Sequence, residues 1–565
     1  MRVNKSVSTE RQMNKATPRD LLVMAIILSL AAFLRIYRLD TVPNGLLTDE
    51  AMRGYDAYSI LHSGADSFGN SFPVFLRGYD DYTPGLYVYL TVPFIAILNL
   101  SAMSTRLAAA WIGVFTIALS YQVIRRPLGQ TAALTGAFLL AISPWHIFLS
   151  RTGTEWNLLA LGTTLTIVLA YRGLRHPRSL IAAGIAGGIL LYGYAPIKAF
   201  LPILLVGYVA LYWRQLYRQT RTAFIALLLF IIIAAPIYAF SFTSEGMNRL
   251  RIVYEGQNAP VSDTLPALIG NYFAYFSPRF LFEPNYRASD FQPPAATERL
   301  QSVGLHYWFE WPLILLGLVR LWHVQRKSAW FLLYWLIVAP VGINLHQDSP
   351  WSSLWLTSLP TLHALAGAGF AWLLVPMHQS SAQLTAQPRR IVRYATMSLL
   401  LALSLGNVGL MVHDLFYRFP VYGAPAWGYG RGPVITDMKA VKHQYDDVNY
   451  AAEDLPSVMY LLFYTRYDPA QRHLDLAKNP QQTWQNVSGY SVGRVERYIQ
   501  QPGCHLVVTT VAGAEAIRLH VPQLVTLSRV DFPDGQPAFG LYAFATPSMV
   551  IERGEICGGP HSPAE

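Results

Sequence analysis

Charge is scarce in this chain. Only 13% of its 565 residues are Asp, Glu, Lys or Arg, while 53% are hydrophobic and the mean hydropathy is +0.28. A soluble globular protein carries about 25% charged residues, so a soluble enzyme is excluded. Cysteine is nearly missing too: Cys504 and Cys557 are the only two. That excludes a disulfide-built scaffold and a cysteine metal cage; one disulfide or two free thiols stay open. No Cys/His ligand spacing is present, and the chemistry inferred below requires no metal. Internal repeats and heptads are absent. The net charge of +10 is spread over short loops rather than gathered into a patch, which argues against nucleic acid as a partner.

What the chain has in abundance is long apolar runs. They recur from Leu21 to about His413, each near the roughly 17–25 residues that cross a bilayer core. Between them lie basic clusters: Arg125-Arg126; Arg172, Arg175, Arg178; Arg214, Arg218, Arg221; Arg320, Arg326, Lys327; and Arg389, Arg390, Arg393. Arg2, Lys5, Arg11, Lys15 and Arg19 precede the first run, and Arg35 and Arg38 at its end leave no signal-peptidase site. Short Lys/Arg-rich loops face the cytoplasm, and successive clusters are separated by pairs of runs. The expected fold is therefore an all-α polytopic membrane protein with about eleven spans. They fall near 21–38, 104–124, 130–149, 156–173, 179–195, 198–213, 222–240, 306–322, 328–345, 352–375 and 394–412. Pro84–Leu100, short and interrupted by Pro93, is read as a juxtamembrane or re-entrant helix. Letting it span instead would put the N-terminus outside.

The domain boundaries follow. Residues 1–20 form a basic cytoplasmic N-terminus and 21–412 the transmembrane domain, which includes outer loops at 39–103 and 241–305. Residues 413–565 form a small extracytoplasmic α/β domain, from strand-like runs at Cys504–Thr510 and Ala538–Ala545 and the turn Pro533-Asp534-Gly535. Gly184-xxx-Gly188 inside a span reads as helix packing. A plasma-membrane protein is expected.

Four constellations fall on the outer side. Asp49-Glu50 follows the first span. Acids suit a helix first turn, and a partly desolvated carboxylate at a membrane boundary also suits a general base; the two roles are compatible. Asp80-Asp81-Tyr82 leads into an aromatic helix; tyrosines there suit an interface belt, and the acids suit contacts to sugar hydroxyls. Arg151 and Glu155 share a tight loop, where an Arg can snorkel or hold a phosphate bidentately. Tyr194 and Lys198 lie in a short connector, where a Lys near lipid needs an anion. His346, in another outer loop, is a further polar donor or a plain connector residue.

The acidic pair after span one, Tyr82-Thr83-Pro84-Gly85-Leu86-Tyr87, Arg106-Leu107 opening span two, and Ser143-Pro144 through Ser150-Arg151 to Glu155 recur in a familiar order. In this the chain resembles the polyprenyl-phosphate-dependent glycosyltransferases of the GT-C fold, which include the protein O-mannosyltransferases and the aminoarabinose–lipid A transferase. The resemblance covers roughly residues 20–375. It implies a GT-C membrane domain and an enzyme that moves a sugar from a polyprenyl-phosphate donor to a hydroxyl of a lipid, protein or glycan. It places the catalytic base on Asp49, the Arg that opens span two on Arg106 and a second acid on Glu155. The residues themselves add Glu50 as a catalytic candidate, Arg151 and Lys198 beside Arg106 as donor-phosphate cations, and Asp80, Asp81, Tyr82, Tyr194 and His346 as substrate contacts. Two departures stand out. Tyr82-Thr83-Pro84 replaces a frequent Lys-Pro-Pro, and Trp351–Leu359 lacks an Arg before Pro360. A lipid transporter or a non-catalytic scaffold are the rival readings. Ionisable residues at helix ends and the missing internal repeat disfavour transport.

Overall fold

The computed structural model describes residues 17–78, 82–248, 261–284, 286, 299–324, 327–343, 349–374, 386–451, 458–479, 486–493 and 503–545. Asp80, Asp81 and His346 lie outside the described residues. The chain is mostly helical and divides into two compact units. One is made of 1–37, 80–87 and 109–415, the other of 38–79, 88–108 and 416–565.

In chain order the helices are α1 Pro18–Ile36, α2 Thr48–Ser63, α3 Leu86–Leu98, α4 Ala102–Leu128, α5 Gln130–Ile142, α6 Pro144–Ser150, α7 Leu158–Gly173, α8 Pro177–Leu190, α9 Ile197–Tyr217 and α10 Thr220–Ser241. They continue as α11 Val261–Ala274, α12 Pro278–Phe282, α13 Glu310–His323, α14 Lys327–Val338, α15 Leu359–Leu373 and α16 Ala386–His413. The described parts of the apolar runs read from the sequence fall largely on these helices, with 130–149 divided between α5 and α6, while residues 344, 345 and 375 lie outside the described residues. By length and apolarity alone, 4 helices among the described residues could cross a bilayer, or up to 5 if α5 and α6, bent by 55°, form one span. The bend has a cause: Pro144 opens α6, and Ser143 caps it by accepting from the His146 N–H. The juxtamembrane run becomes α3, a helix of 13 residues with Pro93 inside it.

The first unit packs its helices on small residues. A Cβ at Gly184 would lie 2.2 Å from the Ala226 carbonyl oxygen, so α8 and α10 touch backbone to backbone there. The same logic joins α5 to α15, where a Cβ at Gly136 would meet the His363 carbonyl at 2.7 Å. Faces away from these seams are apolar: Phe224, Ile231 and Ile232 of α10 are more than half exposed, as lipid-facing side chains would be.

In the second unit the C-terminal segment builds a mixed sheet. Its strands are β1 Asp447–Tyr450, β2 Asn486–Val487, β3 Tyr490–Val492, β4 Cys504–Thr510, β5 Val525–Asp531 and β6 Pro537–Ala545, in the order β2-β3-β1-β4-β6-β5. β1 runs parallel to β3 and β4, and the other pairs are antiparallel. Besides the single turn Phe419–Tyr422, the described residues of the unit hold the helices α17 Arg431–Val441, α18 Val458–Thr465, α19 Pro469–Lys478 and α20 Val511–Arg518. Ala51, Met52, Tyr55 and Ile60 of α2 share one core with Val434, Met438, Leu461, Leu462, Leu506 and Leu541. The acidic-loop helix thus packs on the C-terminal segment, a grouping hidden by its distance along the chain. Cys504 is disulfide-bonded, and Cys557 lies outside the described residues.

Candidate active site

In the second unit, α2 begins at Thr48, so Asp49 and Glu50 occupy its first turn. The N-cap is Leu47, which has no capping oxygen; instead the Glu50 carboxylate reaches back to accept from the Leu47 N–H at 3.0 Å. Glu50 is fully buried, Asp49 exposed. Adjacent residues of a helix point in different directions, so the neighbours part company at once.

Glu50 is gripped by Arg106. The guanidinium donates Nε–H to Oε1 at 2.8 Å and Nη2–H to Oε2 at 2.9 Å, with both side chains fully buried. Its remaining N–H groups go to backbone: Nη1 to the carbonyls of Leu39 (3.2 Å) and Pro43 (2.8 Å), and Nη2 to that of Gly45 (2.6 Å). All five donors of an Arg are therefore spent. Gly45 has φ 95°, and a Cβ there would sit 2.2 Å from the Trp427 carbonyl oxygen. The Trp427 ring stacks under Arg106, 5.6 Å from the guanidinium carbon. Thr48 shares a hydrogen bond with the Tyr460 hydroxyl (3.1 Å), which itself donates to the Leu46 carbonyl. The loop before Asp49 is thus held at Leu39, Pro43, Gly45, Leu46, Leu47 and Thr48. Arg106 has no N–H left over in this arrangement, which favours a positioning role over the phosphate-binding role expected of it, and the bonds of Glu50 favour the same.

One acid in this unit went unread in the sequence. Asp56, two turns along α2 from Asp49, is buried, and burial with Asp66 beside it pushes its carboxyl up to about 7. One oxygen accepts the Ser67 N–H; the other has no hydrogen-bond partner. Its spacing of seven from Asp49 was the available signal.

In the first unit, Arg151 is fully buried and donates to the carbonyls of Leu34 (3.0 Å) and Tyr37 (2.9 Å). It closes the C-terminal end of α1, where a cation also suits the helix dipole. Glu155, buried, opens the 3-10 turn Glu155–Asn157. Lys198, half-buried at the start of α9, donates from Nζ to Ser241 Oγ at 2.8 Å, and its carbonyl accepts from the Tyr238 hydroxyl at 2.6 Å. The Tyr82 ring meets Phe240 edge-on, with 5.7 Å between centroids. The end of α10 therefore gathers Tyr82, Phe240, Ser241 and Lys198. Tyr194 is buried in the turn before α9, where its carbonyl accepts the Ile197 N–H.

Residues 83–240 match the family described as dolichyl-phosphate-mannose-protein mannosyltransferase. No curated protein sequence matches the chain. Among solved structures, ArnT from Cupriavidus metallidurans in the apo state is similar with a TM-score of 0.53 and 17% identity, over 92% of this chain and 97% of that one. The same protein bound to undecaprenyl phosphate gives 0.52 and 16%, over 94% and 98%. The apo oligosaccharyltransferase of Archaeoglobus fulgidus gives 0.48 and 14%, over 89% and 70%. The resemblance read from the sequence thus finds a counterpart in the mannosyltransferase family over residues 83–240, and the fold is shared with ArnT along nearly the whole chain.

Proposed function

We propose that this protein is an integral membrane glycosyltransferase that moves a sugar from a polyprenyl monophosphate to an acceptor hydroxyl on the extracytoplasmic face. The observation that carries the reading is the first turn of α2, where an exposed Asp49 follows a loop immobilised by the Glu50–Arg106 pair. A base fixed in this way loses little entropy in reaching its proton. Asp49 takes the proton of the acceptor hydroxyl as its oxygen bonds to the anomeric carbon. The bond from that carbon to the phosphate oxygen breaks, and the electron pair leaves with the polyprenyl phosphate. One displacement inverts the centre.

Lys198 is the leading cation for the departing phosphate. It has a hydroxyl neighbour in Ser241 and a compact ammonium with three donors. The resemblance expects a Lys where this chain has Tyr82, and Tyr82 packs on Phe240, next in sequence to the serine that Lys198 holds. Arg151 is a weaker candidate because two carbonyls already engage it. Glu155 remains a proposed second catalytic acid, and Tyr194, Asp80, Asp81 and His346 remain proposed substrate contacts. The disulfide at Cys504 supports an oxidising compartment for the C-terminal segment, and with it a multi-pass plasma-membrane protein whose N-terminus is cytoplasmic. The ArnT complex with undecaprenyl phosphate supports the class of donor.

Transfer of radiolabelled sugar from polyprenyl phosphate in detergent tests the reading. Asp49→Asn lowers kcat by about 10²–10⁴-fold, the usual contribution of a general base, with folding intact. Near-normal turnover removes Asp49 as the base. Lys198→Ala lowers kcat by about 10²-fold or raises the donor KM.

A further inference from the structure

A second cluster of titratable groups lies inside the first unit. His306 stands just before α13, Glu310 is the first residue of α13, and His363 sits in the first half of α15. All three are fully buried. Among the described residues they form a group with a nitrogen or oxygen from each within 4.8 Å of the others.

The hydrogen bonds around the cluster fix most of its protons. Glu310 Oε1 accepts from the Tyr307 N–H at 3.3 Å, which leaves Oε2 turned to the two rings. Oε2 is 3.1 Å from His306 Nδ1 and 3.9 Å from His363 Nε2. Without an ion His306 Nδ1 donates its hydrogen to Oε2; to bind one, the ring carries that hydrogen on Nε2, which has no hydrogen-bond partner. His363 Nδ1 is 2.8 Å from the Leu359 carbonyl oxygen, an atom that only accepts, so Nδ1 carries the hydrogen. In the neutral ring, Nε2 then presents a bare lone pair to a carboxylate oxygen in a dry interior. Nε2 has no hydrogen-bond partner. Two electron-rich atoms facing each other at this depth repel unless a positive centre lies between them.

We propose that His306 Nδ1, Glu310 Oε2 and His363 Nε2 bind one divalent transition-metal ion. Two imidazoles and one carboxylate select zinc-like ions over magnesium or calcium, which want oxygen shells. A tetrahedral zinc with bonds near 2.0–2.1 Å places its donors about 3.3–3.4 Å apart. The gaps of 3.1 and 3.9 Å from Glu310 Oε2 bracket that separation, and the ligand atoms all lie within 4.8 Å of one another. The surroundings are those of a metal-bound histidine: the second nitrogen of His363 is tied to a backbone carbonyl, and the free oxygen of Glu310 to a backbone N–H. Trp145 and Phe282 pack on the His306 ring and keep it dry. Arg35 donates to His146 Nδ1 at 3.0 Å, which fixes the hydrogen of that ring on Nε2 and excludes His146 as a ligand in this tautomer. The ion joins α13 to α15, so it staples the first unit. Its linear signature is faint: a His and a Glu four apart, with the third ligand in another helix.

The test uses full-length, untagged protein in detergent, stripped with a chelator and titrated with Zn²⁺ alone, then with Co²⁺ alone. Elemental analysis after desalting should find close to one zinc per chain, and zinc should raise the melting temperature of the stripped protein. Bound Co²⁺ should show the intense visible bands of a four-coordinate site. His363→Gln and Glu310→Gln should each weaken zinc binding at least about tenfold. Wild-type protein that takes up no zinc overturns the proposal and leaves a proton on His363 as the positive centre. Equal uptake by wild type and both variants also overturns it. If the variants fail to fold, the wild-type zinc stoichiometry and cobalt spectrum decide alone: their absence refutes the site, and their presence supports it.

Discussion

Two buried carboxylates, one in each unit, sit in opposite states of completion. Glu50 has both oxygens on one guanidinium and a backbone N–H besides, and every donor of Arg106 has an acceptor. Glu310 has one backbone N–H and two imidazoles, one of which points a lone pair at it. The contrast separates two uses of buried charge. A closed network spends its polar groups on holding backbone, and here it holds the loop that presents Asp49. An open one retains unspent groups, which in a native interior call for a ligand.

The largest expected effect comes from breaking the closed network. Arg106→Ala leaves Glu50 ionised and buried without its partner, and loss of one member of such a pair costs about 3–5 kcal/mol. Glu50→Leu with Arg106→Met removes both charges, and should recover much of the melting temperature in detergent. It should not recover turnover, because the carbonyls of Leu39, Pro43 and Gly45 stay unbound and the loop slackens. A positioning role predicts that kcat falls while the donor KM stays put. A fall in donor affinity would return Arg106 to the phosphate.

Asp56 gives a smaller effect and a pH signature. Its carboxyl ionises near 7 in the fold against an ordinary 3.8. The folded state therefore holds this proton more firmly than the unfolded state. Its contribution is intact below about pH 4, is lost as pH rises towards 7, and is flat above. Asp56→Asn should melt higher than wild type at pH 8, by an amount corresponding to a few kcal/mol. The gap should shrink as pH falls from 7 to 4.5. A gap that does not depend on pH would show that Asp56 is ionised throughout.

Much of the helical frame was legible because lipid demands long apolar runs, and basic loops mark their ends. The place of Asp49 in a helix first turn was legible as well, since adjacent acids suit that position. The pairing of Glu50 with Arg106 was not, because the guanidinium satisfies carbonyls of Leu39, Pro43 and Gly45, and carbonyls carry no sequence signal. The same blindness hid the grip of Arg151 on Leu34 and Tyr37. The packing of α2 on the C-terminal segment was hidden for another reason: the two are adjacent only after hundreds of residues of membrane helices. His363 escaped notice because a histidine within an apolar helix is ordinary until Glu310 is seen beside it.

Arg151 offers the smallest effect and the sharpest division between structural and chemical cations. Its bonds to the Leu34 and Tyr37 carbonyls lie at the end of α1, as a helix C-cap requires. Arg151→Gln keeps one amide that can serve either carbonyl and loses the charge. The expected cost is about 1–3 kcal/mol for the acceptor left unbonded in a buried place. Donor KM should change less than twofold, whereas Lys198→Ala should move the donor kinetics plainly. Measured together in one detergent at two donor concentrations, the pair of variants tells a cap from a phosphate clamp. If Arg151→Gln raises donor KM as much as Lys198→Ala does, then Arg151 releases a carbonyl to take the phosphate, and the frame of α1 is part of the donor site.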